Sequence, residues 1–267
     1  MHINIIIPTY KPQTYLWECL DSVCSQATGG YTYEVLLVLN GPKEPYYTEI
    51  RQYISSHPTL SVRFLYSKKA GVSAARNLAL ECAQADYITF IDDDDYISPF
   101  YLKSLAAYAA PDRIVMAKSI AFDDKTKETL PYRLTNEYER SYGKGLMTAH
   151  AVRSIYCGAW MKLIPSCMIV NSRFDTSLKN SEDALFMFDI SKRFNYIICA
   201  PKEAVYYRRV RVGSAAKLTS RKRICHALKM FSKYTIMYLK APTQYNAIFF
   251  ITRILGTVKG IFANDIY

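Results

Sequence analysis

Two periods of apolar residues alternate along the first hundred positions. Residues 3–7 are a short, wholly apolar run ended by Pro8, the pattern of a strand buried on both faces. Leu16, Leu20, Val23 and Ala27 recur at helical spacing and predict a helix over 14–26, closed by Gly29 and Gly30. Residues 34–39 predict a second strand, stopped by Asn40-Gly41-Pro42. A helix over 46–56, a strand over 61–66, a helix over 73–85 and a strand over 87–91 follow. Ser98 and Pro99 predict the N-cap and first position of a helix reaching about Ala109.

Strand–helix units of this length predict an α/β fold, a Rossmann-like and mostly parallel sheet covered by helices. Further on, 113–121 predicts a strand, 182–194 a helix, and 196–199 and 205–210 two more strands, while 122–165 gives no clear period. Two long helices without internal proline, 221–240 and 246–262, end the pattern. In parallel sheets ligands bind beyond the carboxyl ends of the strands. Three of the first four strand ends carry polar or special residues: Pro8-Thr9-Tyr10, Asn40-Gly41-Pro42 and Asp92 to Asp95. A site along that edge is the expectation.

Charge divides the 267 residues unevenly. Residues 1–203 carry 22 Lys and Arg against 22 Asp and Glu, whereas 204–264 carry twelve Lys and Arg and no acid. Seven cysteines, an odd number without a C-x-x-C pair, predict reduced thiols and a cytoplasmic setting. Neither a signal peptide nor a membrane span is expected from the apolar runs, all of which are too short.

Asp92, Asp93, Asp94 and Asp95 repel one another unless solvent or a cation relieves them, and their oxygens suit a hard ion such as Mg²⁺ or Mn²⁺. The run from Ile3 to Tyr10, the helix pattern Leu16 to Gln26, Gly71-Val72-Ser73-Ala74-Ala75-Arg76-Asn77 and Phe90 to Asp95 occur in the order that resembles inverting glycosyltransferase family 2. The resemblance covers about residues 3–215 and is to members that build bacterial surface polysaccharides. It implies the A-type glycosyltransferase fold: a catalytic domain over 1–217, with a nucleotide-binding half (1–110) and an acceptor half (111–217), before a helical extension over 218–267. It also implies a nucleotide-diphosphate sugar donor, UDP-linked by preference, and a glycan or polyprenol-linked acceptor.

The family's acidic motif falls on Asp92, Asp93 and Asp94, with Asp93 in place of the usual serine. Asp94 is implied to hold Mn²⁺ or Mg²⁺ and Asp92 the ribose or a second metal position. Pro8, Thr9, Tyr10, Asn40, Gly71, Arg76 and Asp93 are the further nucleotide-binding candidates. Asn40 stands where the family often has an aspartate that meets the base, and an amide both donates and accepts. Through Trp160, Lys162 and Phe174 the likeness reaches Glu182 and Asp183, the catalytic pair, with Asp183 as the base that takes the acceptor proton. Arg209 and Arg211, on one face of a strand, are implied to meet the diphosphate, helped by Gly213 and Ser214. Trp160 is the candidate acceptor platform.

Two other readings compete. A nucleotidyltransferase needs a glycine-rich loop after the first strand, which Pro8 to Pro12 is not. A nucleic-acid-binding protein is compatible with the tail but not with the neutral body, so no nucleic-acid partner is expected. Lys222, His226, Lys229 and Lys233 form a polar stripe opposite Ile224, Leu228, Phe231 and Tyr238, and Arg253 and Lys259 oppose the apolar face of the last helix. Basic amphipathic helices of this kind predict peripheral contact with an anionic membrane surface at its cytoplasmic side.

Overall fold

β1 (His2–Thr9) is buried from Ile3 to Thr9 because it lies between two other strands. The computed structural model describes residues 1–27, 29–153, 155–194, 196–211 and 220–262. After β1 come α1 (Tyr15–Cys24), β2 (Thr32–Asn40), α2 (Tyr46–Ser56), β3 (Val62–Ser67), α3 (Val72–Cys82) and β4 (Tyr87–Phe90). Short β5 (Tyr96–Ile97) and α4 (Tyr101–Ala106) lead into β6 (Arg113–Met116), β7 (Lys118–Asp123), β8 (Thr129–Leu130) and α5 (Arg133–Ser141). Then follow β9 (Lys162–Pro165), α6 (Ser166–Ile169), α7 (Glu182–Ile190), β10 (Tyr196–Cys199) and β11 (Val205–Val210). Two long helices, α8 (Ser220–Lys240) and α9 (Ala247–Phe262), stand at the C-terminal side.

The large sheet has seven strands in the order β10-β6-β9-β4-β1-β2-β3. It is parallel except for β9, which runs antiparallel to both β4 and β6. The two expected halves of the body therefore share one sheet. Leu16, Cys19, Leu20 and Val23 of α1 are buried, as are Ala75, Ala79 and Leu80 of α3. The apolar faces predicted from spacing are the ones that meet the core. A second sheet, β5-β11-β7-β8, stands beside the ends of the first.

Three expectations need correction. The single strand over 113–121 is two strands in different sheets, because Ala117 bonds to the Met161 carbonyl (2.9 Å) between them. Ser98 is no N-cap: its hydroxyl donates to the Glu203 carbonyl (2.6 Å) and accepts from the Val205 N–H (3.0 Å), so α4 begins three residues later at Tyr101. Much of the basic stripe of α8 turns onto the body. Lys233 pairs with Asp175, Lys229 donates to the Ser177 carbonyl (2.7 Å), and His226 meets the Ser181 hydroxyl (3.1 Å). The domain boundary at 217, with Gly213 and Ser214, lies outside the described residues.

Among the described residues no helix is long and apolar enough to cross a membrane. The seven cysteines form no disulfide.

Candidate active site

The ends of β1, β2 and β3 converge on Gly41. Its φ of +95° belongs to the region that favours glycine, and a Cβ there would come within 2.6 Å of the Tyr10 ring. The Tyr10 ring thus packs against the β2 end, with half of the residue exposed. Pro8 and Thr9 are buried beneath it, and Thr9 donates its hydroxyl to Asp93 at 2.5 Å. Asn40 is buried as well. Its amide donates to the Thr9 carbonyl (2.7 Å) and accepts from the Gly71 N–H (2.9 Å). An amide that is 2% exposed and bonded on both sides ties strand ends together at the position expected to meet the base. The Gly71 N–H is likewise turned to Asn40.

Asp92 to Asp95 form a tight turn closed by the Asp95 N–H on the Asp92 carbonyl (3.1 Å). The four side chains then diverge. Asp95, given no separate task by the sequence, is buried and accepts from the Tyr206 hydroxyl and the Arg209 N–H, both at 2.8 Å. It anchors β11 to the turn. Arg209 of β11 and Arg211, just beyond its end, point to the same side, while Arg208 faces the Tyr132 ring on the other. Arg209 is buried and saturated by Glu18, Asp124 (2.5 Å) and the Asp94 carbonyl (2.7 Å). At the position expected to meet the diphosphate, Arg209 clamps α1, the residue after β7 and the turn together. Arg211, half-buried over the Tyr15 ring, pairs with Asp94 at 2.5 Å.

Arg76 carries the geometry that sequence reasoning missed. It is 3% exposed and donates to Asp92 (2.7 Å) and to Asp183 (2.6 Å), with Glu182 3.6 Å away. One guanidinium therefore couples the acidic turn to the first turn of α7, 107 residues away in sequence between Arg76 and Asp183. Its planar fork reaches two carboxylates at once, which an ammonium does poorly. No spacing rule announces such a contact. The Gly71 to Asn77 motif singled out Arg76 in the sequence, but nothing in it pointed to these partners.

Three carboxylates around one cation leave an excess of negative charge in a closed place. Burial pushes Glu182 up to about 7, Asp183 adds to this, and Arg76 opposes it. Burial also raises Asp183, against Arg76 and a hydrogen bond from the Ala159 N–H. A carboxylate raised in this way is a competent proton acceptor near neutrality. Glu182 keeps its proton in the folded chain between its ordinary 4.5 and about 7, where the unfolded chain releases it. Stability thus falls as pH rises through that window. Glu182→Gln is expected to raise the unfolding temperature above about pH 7 and leave it nearly unchanged below about pH 4.5, a difference of about 1–3 kcal/mol. Thermal melts across the pH range check this, and a parallel shift at all pH values contradicts it.

Trp160 is half-buried and packs on Tyr206, with ring centroids 5.0 Å apart. It follows a loop held from below by Lys162, whose buried ammonium donates to the carbonyls of Ile155 (3.0 Å) and Gly158 (2.7 Å). Burial lowers Lys162 to about 7. The same loop supplies the Ala159 N–H to Asp183, so Lys162 positions both Trp160 and the candidate base. From the other side Arg253 of α9 reaches Cys157 Sγ (3.0 Å) and the Arg153 carbonyl (2.7 Å).

Asp92 and Asp94 each give one oxygen to an arginine, and the other meets no side chain among the described residues. Two such carboxylates suit a hard divalent cation as part of a set completed by phosphate and water. No group of three or more His, Cys, Asp or Glu side chains gathers as a cation site among the described residues.

The profile of glycosyl transferase family 2 matches residues 4–163. The chain belongs to glycosyltransferase family 2. The minor teichoic acid biosynthesis protein GgaB of Bacillus subtilis is 27% identical over 96% of this chain and 29% of its own length. The poly(ribitol-phosphate) β-N-acetylglucosaminyltransferase TarS of Staphylococcus aureus is 26% identical over 80% of this chain and 36% of its own. This family member thus spans about a third of the length of GgaB and of TarS. The first 349 residues of TarS, solved with UDP-GlcNAc, superpose with a TM-score of 0.75 at 20% identity, covering 98% of this chain and 73% of that one. A mannosyltransferase of Pyrobaculum calidifontis, solved with GDP-Man and Mn²⁺, gives 0.65 at 17% identity, over 98% and 70% of the two chains. These superpositions carry the A-type glycosyltransferase fold expected from the sequence.

Proposed function

We propose that this family 2 glycosyltransferase moves a sugar, with inversion, from a nucleotide-diphosphate donor to a hydroxyl of a glycan acceptor in the synthesis of a surface polysaccharide. The observation that carries the reading is the Arg76 bridge, which holds Asp183 one guanidinium away from Asp92. A proton acceptor and the donor-side carboxylates thereby face one another. Asp183 takes the proton of the acceptor hydroxyl as its oxygen attacks the anomeric carbon from the side opposite the diphosphate. Glu182 adjoins it and tunes its charge. Tyr10 offers an exposed ring for the base, and Arg211 a fork for the diphosphate. Trp160 presents a face to the acceptor sugar.

Asp94 and Asp92 would hold Mn²⁺ or Mg²⁺. The ion's contribution when bound is to neutralise charge on the departing diphosphate. A UDP-linked donor is favoured, supported by the nucleotide in the TarS structure, and a teichoic-acid-like acceptor is supported by the names of the relatives; a polyprenol-linked form of that acceptor is part of the proposal. Work on a lipid-carried acceptor places the enzyme peripherally on the cytoplasmic face of the membrane. Membership in this family disfavours the nucleotidyltransferase and nucleic-acid readings.

A screen of UDP- and GDP-sugars for Mn²⁺-dependent hydrolysis and transfer tests the activity. Asp94→Ala is expected to lose Mn²⁺-dependent binding of UDP by at least about tenfold in a calorimetric titration. Unchanged binding in that variant removes the metal assignment.

A further inference from the structure

The C-terminal helix pair is turned the other way from what its sequence pattern predicts. Arg253, expected on the outer face of α9, is directed inward to Cys157, the Arg153 carbonyl and the Phe249 ring. His226, Lys229 and Lys233 of α8 meet the segment that leads to Glu182. The surface left outside carries many apolar side chains. Ile248, Ile251, Leu255 and Val258 recur at i, i+3, i+7 and i+10 along α9, and Leu255 is 61% exposed. On α8, Ile224, Leu228, Phe231 and Leu239 are exposed, Leu239 by 69%. Scattered apolar side chains are ordinary on a surface, but two packed helices that both send aliphatics outward are not. Inside the pair Tyr238 stacks on Phe250, with ring centroids 4.1 Å apart, so the helices form one unit.

We infer that this outward face of α8 and α9 lies in the headgroup–acyl boundary of an anionic bilayer. The inference rests on the peripheral-membrane part of the proposed function and says which surface makes the contact. Charge selects the occupant. Neither helix carries a carboxylate, and Arg221, Lys222, Lys240 and Lys259 are exposed around the aliphatic face. A second copy would set these cations against their own kind, whereas anionic headgroups neutralise them. At 16 residues α9 is about 24 Å long and is not among helices able to span, so it lies in the membrane plane.

The test uses the full chain and flotation with vesicles of phosphatidylcholine, alone or mixed with phosphatidylglycerol, at low and high salt. The wild-type protein is expected to float with the mixed vesicles at low salt and to be released partly by salt. The double variant Ile251→Glu, Leu255→Glu is expected to lose at least about tenfold in partitioning, with UDP binding and unfolding temperature unchanged. In a second variant, Leu255→Trp, fluorescence is expected to be quenched by brominated lipid on binding. Flotation of the double variant at the wild-type level, or no quenching, overturns the face assignment while membrane association itself stands. A wild-type protein that stays with neither vesicle overturns both. Loss of a dimer in the double variant, seen by light scattering, overturns the inference in favour of self-association.

Discussion

Asp183→Asn is expected to lower sugar transfer by about 10²-fold or more while nucleotide-sugar binding survives. The substitution keeps size and one hydrogen bond to Arg76 but removes the oxygen that takes the proton. Asp183 suits that task because it opens α7, is held by Arg76 at 2.6 Å, and is raised by burial. The raised value also sets the sign of the pH dependence: transfer climbs with pH until Asp183 is deprotonated and then levels. Steady-state kinetics with the best donor from the screen give kcat and KM separately. A fall in kcat at constant donor KM is expected, and near-normal turnover moves the base to Glu182.

Arg76→Ala is expected to have the largest effect on stability. It strands Asp92, Glu182 and Asp183 without the buried cation they share. Breaking one side of a buried ion-pair network costs about 3–5 kcal/mol. The guanidinium also stands over the Phe174 ring, 5.1 Å from its centroid, so packing is lost too. Arg76→Lys keeps the charge but not the fork, and an intermediate loss is expected. Because protonation relieves stranded carboxylates, the deficit of the alanine variant shrinks as pH falls. Urea unfolding at neutral and acidic pH measures this. An alanine variant as stable as the wild type contradicts the role.

Local patterns announced most of the sheet. The buried strands β1, β2 and β4 and the stripes of α1 and α3 were legible because each buries one run or one face against near neighbours. The acidic turn was legible as chemistry, and its place at a strand end followed. Non-local pairings were not. Asp95 had no task of its own in the sequence and Arg209 was expected at the diphosphate; that the two are joined shows only once β11 meets the turn. Asn40 looked available to a base, yet its partners are the Thr9 and Gly71 backbone. On α8 and α9 a period identified the helices, but which side faced inward depended on polar groups of the body that no period reveals. Residues 122–165 were opaque because β8 and β9 are only two and four residues long.

The position of β9 bears on synthesis. It pairs with β4 through Tyr87–Pro165 and Ile88–Ile164, so β4 waits for a partner that leaves the ribosome roughly 75 residues later. At about 5–20 residues per second that is on the order of 4–15 s. For that time the nascent sheet has an open edge beside β1, made of Ile88, Thr89 and Phe90. Unpaired edges recruit other strands. The chain is thus most exposed to misassembly while still being made, before the segment bearing its candidate base has emerged.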